Sequence, residues 1–170
     1  SKVIGYCFGV SNTINKAEEC IQRSKDEKLP CYSIGQLIHN KDVVEHFMSE
    51  GMVNSESPDG LEPGIALVRA HGIPESLRRR YENAGFRIVD STCPIVAKGA
   101  ETIRKAAQKG SNTIIIGVKG HAETIGLLGV ELPDGRAVDS QLICSMEDAR
   151  ELCASRRLKE DSDIVVVVQT

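Results

Sequence analysis

The chain has 170 residues, 41% of them hydrophobic and 26% charged, with a net charge of −3. That balance fits a globular protein long enough to bury a sizeable core, as one large domain or two small ones. The basic residues are dispersed and only 4% of the chain is aromatic, which speaks against nucleic-acid binding. No apolar run approaches the roughly 20 residues of a bilayer span, and Ser1-Lys2-Val3-Ile4-Gly5 carries no signal-peptide core, so no membrane association is expected and the sequence reads as cytoplasmic. In that compartment six cysteines are expected to be metal ligands or buried thiols rather than disulfides.

In chain order, apolar runs alternate with helical patterns. Strands are expected at residues 2–5, 31–34, 64–68, 87–90, 113–117, 136–138 and 164–168, and helices at 11–24, 41–50, 74–84, 95–109, 123–128 and 145–154. Ser11 is placed to cap the first helix, ahead of Ile14, Ala17 and Ile21 at helical spacing. Ser145 with Asp148 resembles a capping box. Gly51, Gly85 and Gly110 each follow a helix, where a left-handed residue is wanted. The run Arg78-Arg79-Arg80 reads as a solvated helix face. The β/α alternation predicts parallel sheets covered by helices. The runs Ile114-Ile115-Ile116 and 164–168 look like strands buried on both faces. A boundary near residues 92–96 divides the chain into two α/β units, 1–94 and 95–170. The sequence stops directly after its most apolar run, so an incomplete chain is expected.

Five segments set a cysteine or histidine beside Gly or Pro, most of them directly after an expected strand: Gly5-Tyr6-Cys7-Phe8-Gly9, Ile38-His39-Asn40, Ala70-His71-Gly72, Thr92-Cys93-Pro94 and Gly120-His121-Ala122-Glu123. In open parallel sheets ligands bind beyond the carboxyl ends of the strands, and thiolate and imidazole are the side chains that hold soft metals. One pocket containing a metal is therefore expected. Cys7 and Cys93 are the candidate ligands, although no C-x-x-C spacing supports them and free cysteines are more often buried thiols. Cys20, Cys31, Cys144 and Cys153 fall in or beside expected helices and strands and read as structural. His39, His71 and His121 sit in expected loops, where their N–H groups suit phosphate oxygens. Glu123 reads either as a first-turn acid facing the helix dipole or as a proton relay.

In order and spacing, these motifs resemble the 4-hydroxy-3-methylbut-2-enyl diphosphate reductases, the LytB family, and Val168-Gln169-Thr170 resembles the start of that family's Gln-Thr-Thr segment. The resemblance implies three similar α/β units in a pseudo-threefold arrangement around a [4Fe–4S] cluster, of which this chain would hold two. It implies that Cys7 and Cys93 are cluster ligands, with the third cysteine beyond residue 170. It implies that His39, His71, His121 and Thr170 hold an allylic diphosphate, that Glu123 and Thr170 serve proton delivery, and that a ferredoxin or flavodoxin supplies electrons. The reaction it implies removes the allylic hydroxyl as water to give isopentenyl and dimethylallyl diphosphate, the last step of the non-mevalonate isoprenoid pathway. With two ligand cysteines, the 170 residues alone are expected to be inactive. Cys144 and Cys153 lie where the family has no ligand. Two other readings stay open: a zinc-dependent hydrolase with Glu123 as base, which lacks a compact H-E-x-x-H pair, and a non-catalytic α/β anion-binding module, which lacks a G-x-G-x-x-G or P-loop pattern.

Overall fold

The computed structural model describes residues 5–155 and 157–170. The chain divides into two compact units, Ser1–Pro94 and Ile95–Thr170. Of the strand expected at residues 2–5, residues 2–4 lie outside the described residues.

Unit 1 runs α1 (Phe8–Glu27), β1 (Cys31–Ile34), α2 (Lys41–Ser49), β2 (Met52–Ser55), β3 (Ile65–Val68), α3 (Glu75–Asn83) and β4 (Arg87–Asp90). All strand pairs are parallel, in the order β2-β1-β3-β4. Ile65, Leu67 and Cys31 pack on one face with Ile14, Ala17, Cys20 and Ile21 of α1 and Phe47 of α2. Tyr32, Ile34, Ala66 and Val68 pack on the other with Tyr81 and Phe86. The central strands β1 and β3 are buried along their whole length. Each fully buried Ile or Leu there contributes about 1.5–3 kcal/mol. Cys20 and Cys31 are structural thiols of this core, 1% and 2% exposed. A hydrogen bond between them, with burial, pushes the Cys31 thiol up.

Unit 2 holds α4 (Pro94–Gln108, all but its first residue), β5 (Asn112–Ile116), α5 (Ala122–Leu128), β6 (Ser140–Ile143), α6 (Met146–Ala154) and β7 (Ile164–Val168), with parallel strands in the order β6-β5-β7. Its core joins Ile103, Ile115, Leu127, Val130 and Val138, with Val167 packed against it.

The two-unit parallel α/β class stands as expected, with four local differences. The first helix starts at Phe8 with Cys7 as its N-cap, so Ser11 is interior and Gly9 is helical. β2 is an additional strand; it is only four residues long, is half polar, and follows Gly51 directly. The strand expected at 136–138 lies instead at Ser140–Ile143. Val138 belongs to the preceding turn, where its amide bonds to the Val130 carbonyl at 3.0 Å. β7 is an edge strand with one face half-buried through Val165 and Val167 and the other, Ile164, Val166 and Val168, exposed. Cys144 and Cys153 are exposed and pack in no core. Arg78 and Arg80 are not merely solvated, since they pair with Asp90 and Asp59. The Ser145–Asp148 capping box is present, and Gly51, Gly85 and Gly110 take positive φ.

Strand order fixes where each unit can bind. In unit 1 the chain passes from β1 outward to β2, then returns to place β3 on the other side of β1. In unit 2 β6 and β7 flank β5 in the same way. Such reversals open a crevice at the carboxyl ends of the strands on either side of the switch, here β1/β3 and β5/β7.

Candidate functional site

At the β1/β3 switch of unit 1, the loop after β1 carries His39 and the turn after β3 carries His71. Their ring centroids lie 5.3 Å apart. Asn40 caps α2 by accepting from the Val43 amide at 3.2 Å and donates to the Tyr6 hydroxyl at 2.9 Å, tying the His39 loop to the segment before Cys7. The His71 turn closes with the Gly72 amide on the Arg69 carbonyl at 3.0 Å. Arg69 itself sends its side chain across Gly35 at the end of β1, where a Cβ would come within 2.7 Å of its Nη1. Its buried Nε has no hydrogen-bond partner, and burial lowers its pKa.

The cysteines stand at the same strand edge of unit 1. Cys7 caps α1 and is exposed; Cys93 follows β4 and is half-buried. A Cβ built on Gly9 would lie 3.2 Å from the Cys93 sulfur and 4.0 Å from the Cys7 sulfur, so the two sulfurs approach one point from opposite ends of the unit's sequence. This explains a glycine inside a helix: any side chain there would occupy the space between the thiols. The Cys93 loop is held at its root by Asp90, whose carboxylate accepts from the Thr92 amide at 2.8 Å and the Thr92 hydroxyl at 2.5 Å. Burial pushes the Asp90 carboxyl up, but these bonds and Arg78 outweigh it, and the net shift is downward. Two free thiols facing one bare Cα suit a soft metal or an iron–sulfur group, to which thiolates at helix starts are well matched.

At the β5/β7 switch of unit 2, His121 caps α5 through Nδ1, which accepts from the Glu123 amide at 3.2 Å and leaves Nε2 as the N–H donor. Glu123 is 2% exposed. Its Oε1 accepts from the Thr170 amide at 3.0 Å and its Oε2 from the Thr170 hydroxyl at 2.9 Å. Glu123 does stand in the first turn of α5, and beyond that its carboxyl is buried and held by the segment after β7. Gln169 takes part as well. Its Oε1 accepts from the Val118 amide at 2.8 Å and the Thr124 hydroxyl at 2.9 Å. Gln169 stands in the Val168-Gln169-Thr170 motif, but neither it nor Thr13 nor Ser91 has a role that the sequence alone assigns. For Thr13 a signal existed, since a polar residue on the apolar stripe of α1 must find a buried partner.

Architecture and site together define a parallel α/β protein with cysteine- and histidine-bearing loops at the carboxyl edge of its strands. The LytB protein family matches residues 1–170, and the chain belongs to that family. A relative from Shouchella clausii, named 4-hydroxy-3-methylbut-2-enyl diphosphate reductase, is 34% identical over 173 residues, covering 98% of this chain and 51% of that protein. One of the same name from Aquifex aeolicus is 28% identical over 155 residues, 91% of this chain and 52% of that protein. The solved structure of the E-1-hydroxy-2-methyl-but-2-enyl-4-diphosphate reductase from Plasmodium falciparum matches with a TM-score of 0.85 at 27% identity, covering 99% of this chain and 50% of that one. The chain thus spans about half the length of the curated relatives it matches. Among the described residues no helix is long and apolar enough to cross a membrane.

Proposed function

We propose that this chain contributes to reductive removal of the allylic hydroxyl of 4-hydroxy-3-methylbut-2-enyl diphosphate, giving isopentenyl and dimethylallyl diphosphate. The observation that supports the reading best is the use of both switch points: His39 and His71 flank one, and Glu123 and Thr170 flank the other. The thiols of Cys7 and Cys93 would hold two irons of a [4Fe–4S] cluster, with a third cysteine from outside residues 1–170. When bound, the cluster supplies low-potential electrons and an iron that polarises the hydroxyl oxygen.

The protein's own groups have separate tasks. The imidazole N–H groups of His39, His71 and His121 donate to diphosphate oxygens, which carry the negative charge that fixes the substrate. Glu123 carries a proton to the departing hydroxyl. Thr170 orients the carboxyl through its amide and hydroxyl, with the hydroxyl also facing the substrate oxygen. Overall two electrons and two protons enter, the carbon–oxygen bond breaks, and water leaves. A ferredoxin or flavodoxin is the proposed source of the electrons.

The test is an anaerobic iron and sulfide assay with an absorption spectrum, on the protein carrying the third cysteine and on its C7S and C93S variants, followed by turnover with a chemical reductant. Near four irons in the parent, with cluster and turnover lost in both variants, is the expected result. Zinc in place of iron, or a cluster indifferent to Cys7 and Cys93, would overturn it.

A further inference from the structure

We infer that Thr13 and Ser91 are positioning residues for the Cys7–Cys93 thiol pair, an inference that rests on the proposal that those thiols hold a metal centre. Thr13 lies in α1 and is 0% exposed; Ser91 lies in the loop after β4, two residues before Cys93, and is 1% exposed. Their hydroxyl oxygens are 3.0 Å apart, and the Thr13 hydroxyl is also 3.1 Å from the Gly9 carbonyl. The Ser91 hydroxyl donates to the carbonyl of Val68, the last residue of β3, and the Ser91 amide reaches the same carbonyl at 3.0 Å. Each hydroxyl has one proton. With Ser91 donating to Val68, its oxygen is left to accept from Thr13. The order is therefore Thr13, its proton shared between Ser91 and the Gly9 carbonyl of its own helix, to Ser91 to Val68, running from the helix to the sheet.

These bonds act where the thiols are set. Gly9, where an added Cβ would lie within 4.0 Å of both sulfurs, is one turn before Thr13 on the same helix. Apolar packing of Ile14, Ala17 and Ile21 holds α1 on the sheet, but such contacts are non-directional and tolerate small rotations of the helix. A hydrogen bond does not, since it weakens steeply with misalignment. Rotating α1 would carry Cys7 and Gly9 past Cys93. Thiolate–metal bonds near 2.3 Å tolerate errors of only a few tenths of an ångström. A buried hydroxyl pair adds little net stability over apolar groups of the same shape. Its effect here is directional: it fixes the azimuth of α1 against the Cys93 loop.

Cadmium binding reads this out without turnover, because each thiolate–cadmium bond adds an ultraviolet charge-transfer band. The titration would use a C144S/C153S background, removing the two exposed thiols outside the pair, with a competing chelator to fix affinity. T13V keeps the volume and deletes the hydroxyl; T13S keeps the hydroxyl. T13V is expected to weaken cadmium binding about tenfold and T13S less than twofold. S91A should match T13V, and the T13V/S91A double variant should be no weaker than either single, as for two members of one unit. S91A decides the matter in the same way should T13V fail to fold. Wild-type affinity in a folded T13V or S91A variant, with C7S impaired, overturns the positioning role alone. Wild-type affinity in C7S overturns the thiol-pair reading and this inference with it.

Discussion

The Cys93 amide donates to the Ala70 carbonyl at 2.8 Å. Through that bond the loop bearing one candidate metal ligand is joined to the turn bearing His71, within the same unit. Geometry at one is therefore felt at the other. The turn depends on Gly72, whose φ of 72° lies in the left-handed region.

The first prediction follows. G72A should lower stability by about 1 kcal/mol, the strain of a side chain at such a φ. It should also weaken binding of inorganic pyrophosphate and of cadmium together. G110A is the control: its φ is 78° and a Cβ there meets nothing within 4 Å, so it carries similar strain away from the carboxyl ends of the strands. Urea unfolding and calorimetric titration of both variants check this. Equal ligand affinities in the two would show that the Cys93–Ala70 bond transmits nothing.

At Gly9 stability and function are predicted to part. Gly9 is the second residue of α1, where alanine gains less than the about 1 kcal/mol of a helix interior, and the new methyl would sit 3.2 Å from both the Cβ and the sulfur of Cys93. The two effects on stability oppose, so G9A should unfold near the parent's urea concentration while its metal loading falls severalfold. Unimpaired loading would mean that the space between the sulfurs is not used.

The same position shows how far the sequence can be read. Two glycines around Cys7 read as a turn, and the helix was expected only from Ser11. In the structure Gly9 is helical, and what calls for a glycine there is Cys93, which no local pattern contains. The strands at Cys31–Ile34, Arg87–Asp90 and Ile164–Val168 were legible as apolar or alternating runs between breakers. Ser140–Ile143 was not, because half of Ser-Gln-Leu-Ile is polar and the strand is set by its pairing with β5. β7 misled in another way. Five apolar residues suggested burial on both faces, but burial depends on neighbours, and β7 has β5 on one side only. Of the site, the motif residues were visible and their fastenings were not. Ser91 and Gln169 become meaningful only once distant partners are in place.

Asp90 gives a pH prediction. Its folded pKa is lowered, so its contribution to stability is present above the unfolded carboxylate value near 4 and is lost as pH falls through the folded value. D90N should be less stable than the parent at pH 6, and the gap should close as the pH is taken from about 4 towards 2. Urea midpoints of both proteins across that range check the sign. A gap that widens towards low pH would contradict the assignment.

For Glu123, E123Q in the protein that carries the third cysteine should keep the iron content and lose turnover by about 10²-fold or more, the usual scale for a positioned proton donor. T170V leaves the amide bond to Oε1 and deletes the hydroxyl bond to Oε2, so its loss should be smaller. T170S should restore most of it. Turnover in E123Q within a few-fold of the parent would leave Glu123 a structural carboxylate.

The last prediction concerns what holds Thr170 in register. The Gln169 amide bonds to the Ile116 carbonyl at 2.8 Å, while its side-chain oxygen spans the Val118 amide and the Thr124 hydroxyl. Gly117 makes room for this. A Cβ there would come within 2.7 Å of Thr124 Oγ1 and 2.9 Å of Gln169 Oε1. Both atoms are pinned by their shared hydrogen bond, so neither can yield cheaply, and G117A should destabilise unit 2 by about 1–3 kcal/mol. Q169A removes the acceptor instead and should cost about 1 kcal/mol for the bonds lost. Combined with G117A it should cost less than the sum, because the truncated side chain relieves the clash. Urea unfolding of the two singles and the double decides the point: strict additivity would mean that Gln169 does not pack on Gly117 in solution, and the Glu123–Thr170 contact would then need another support.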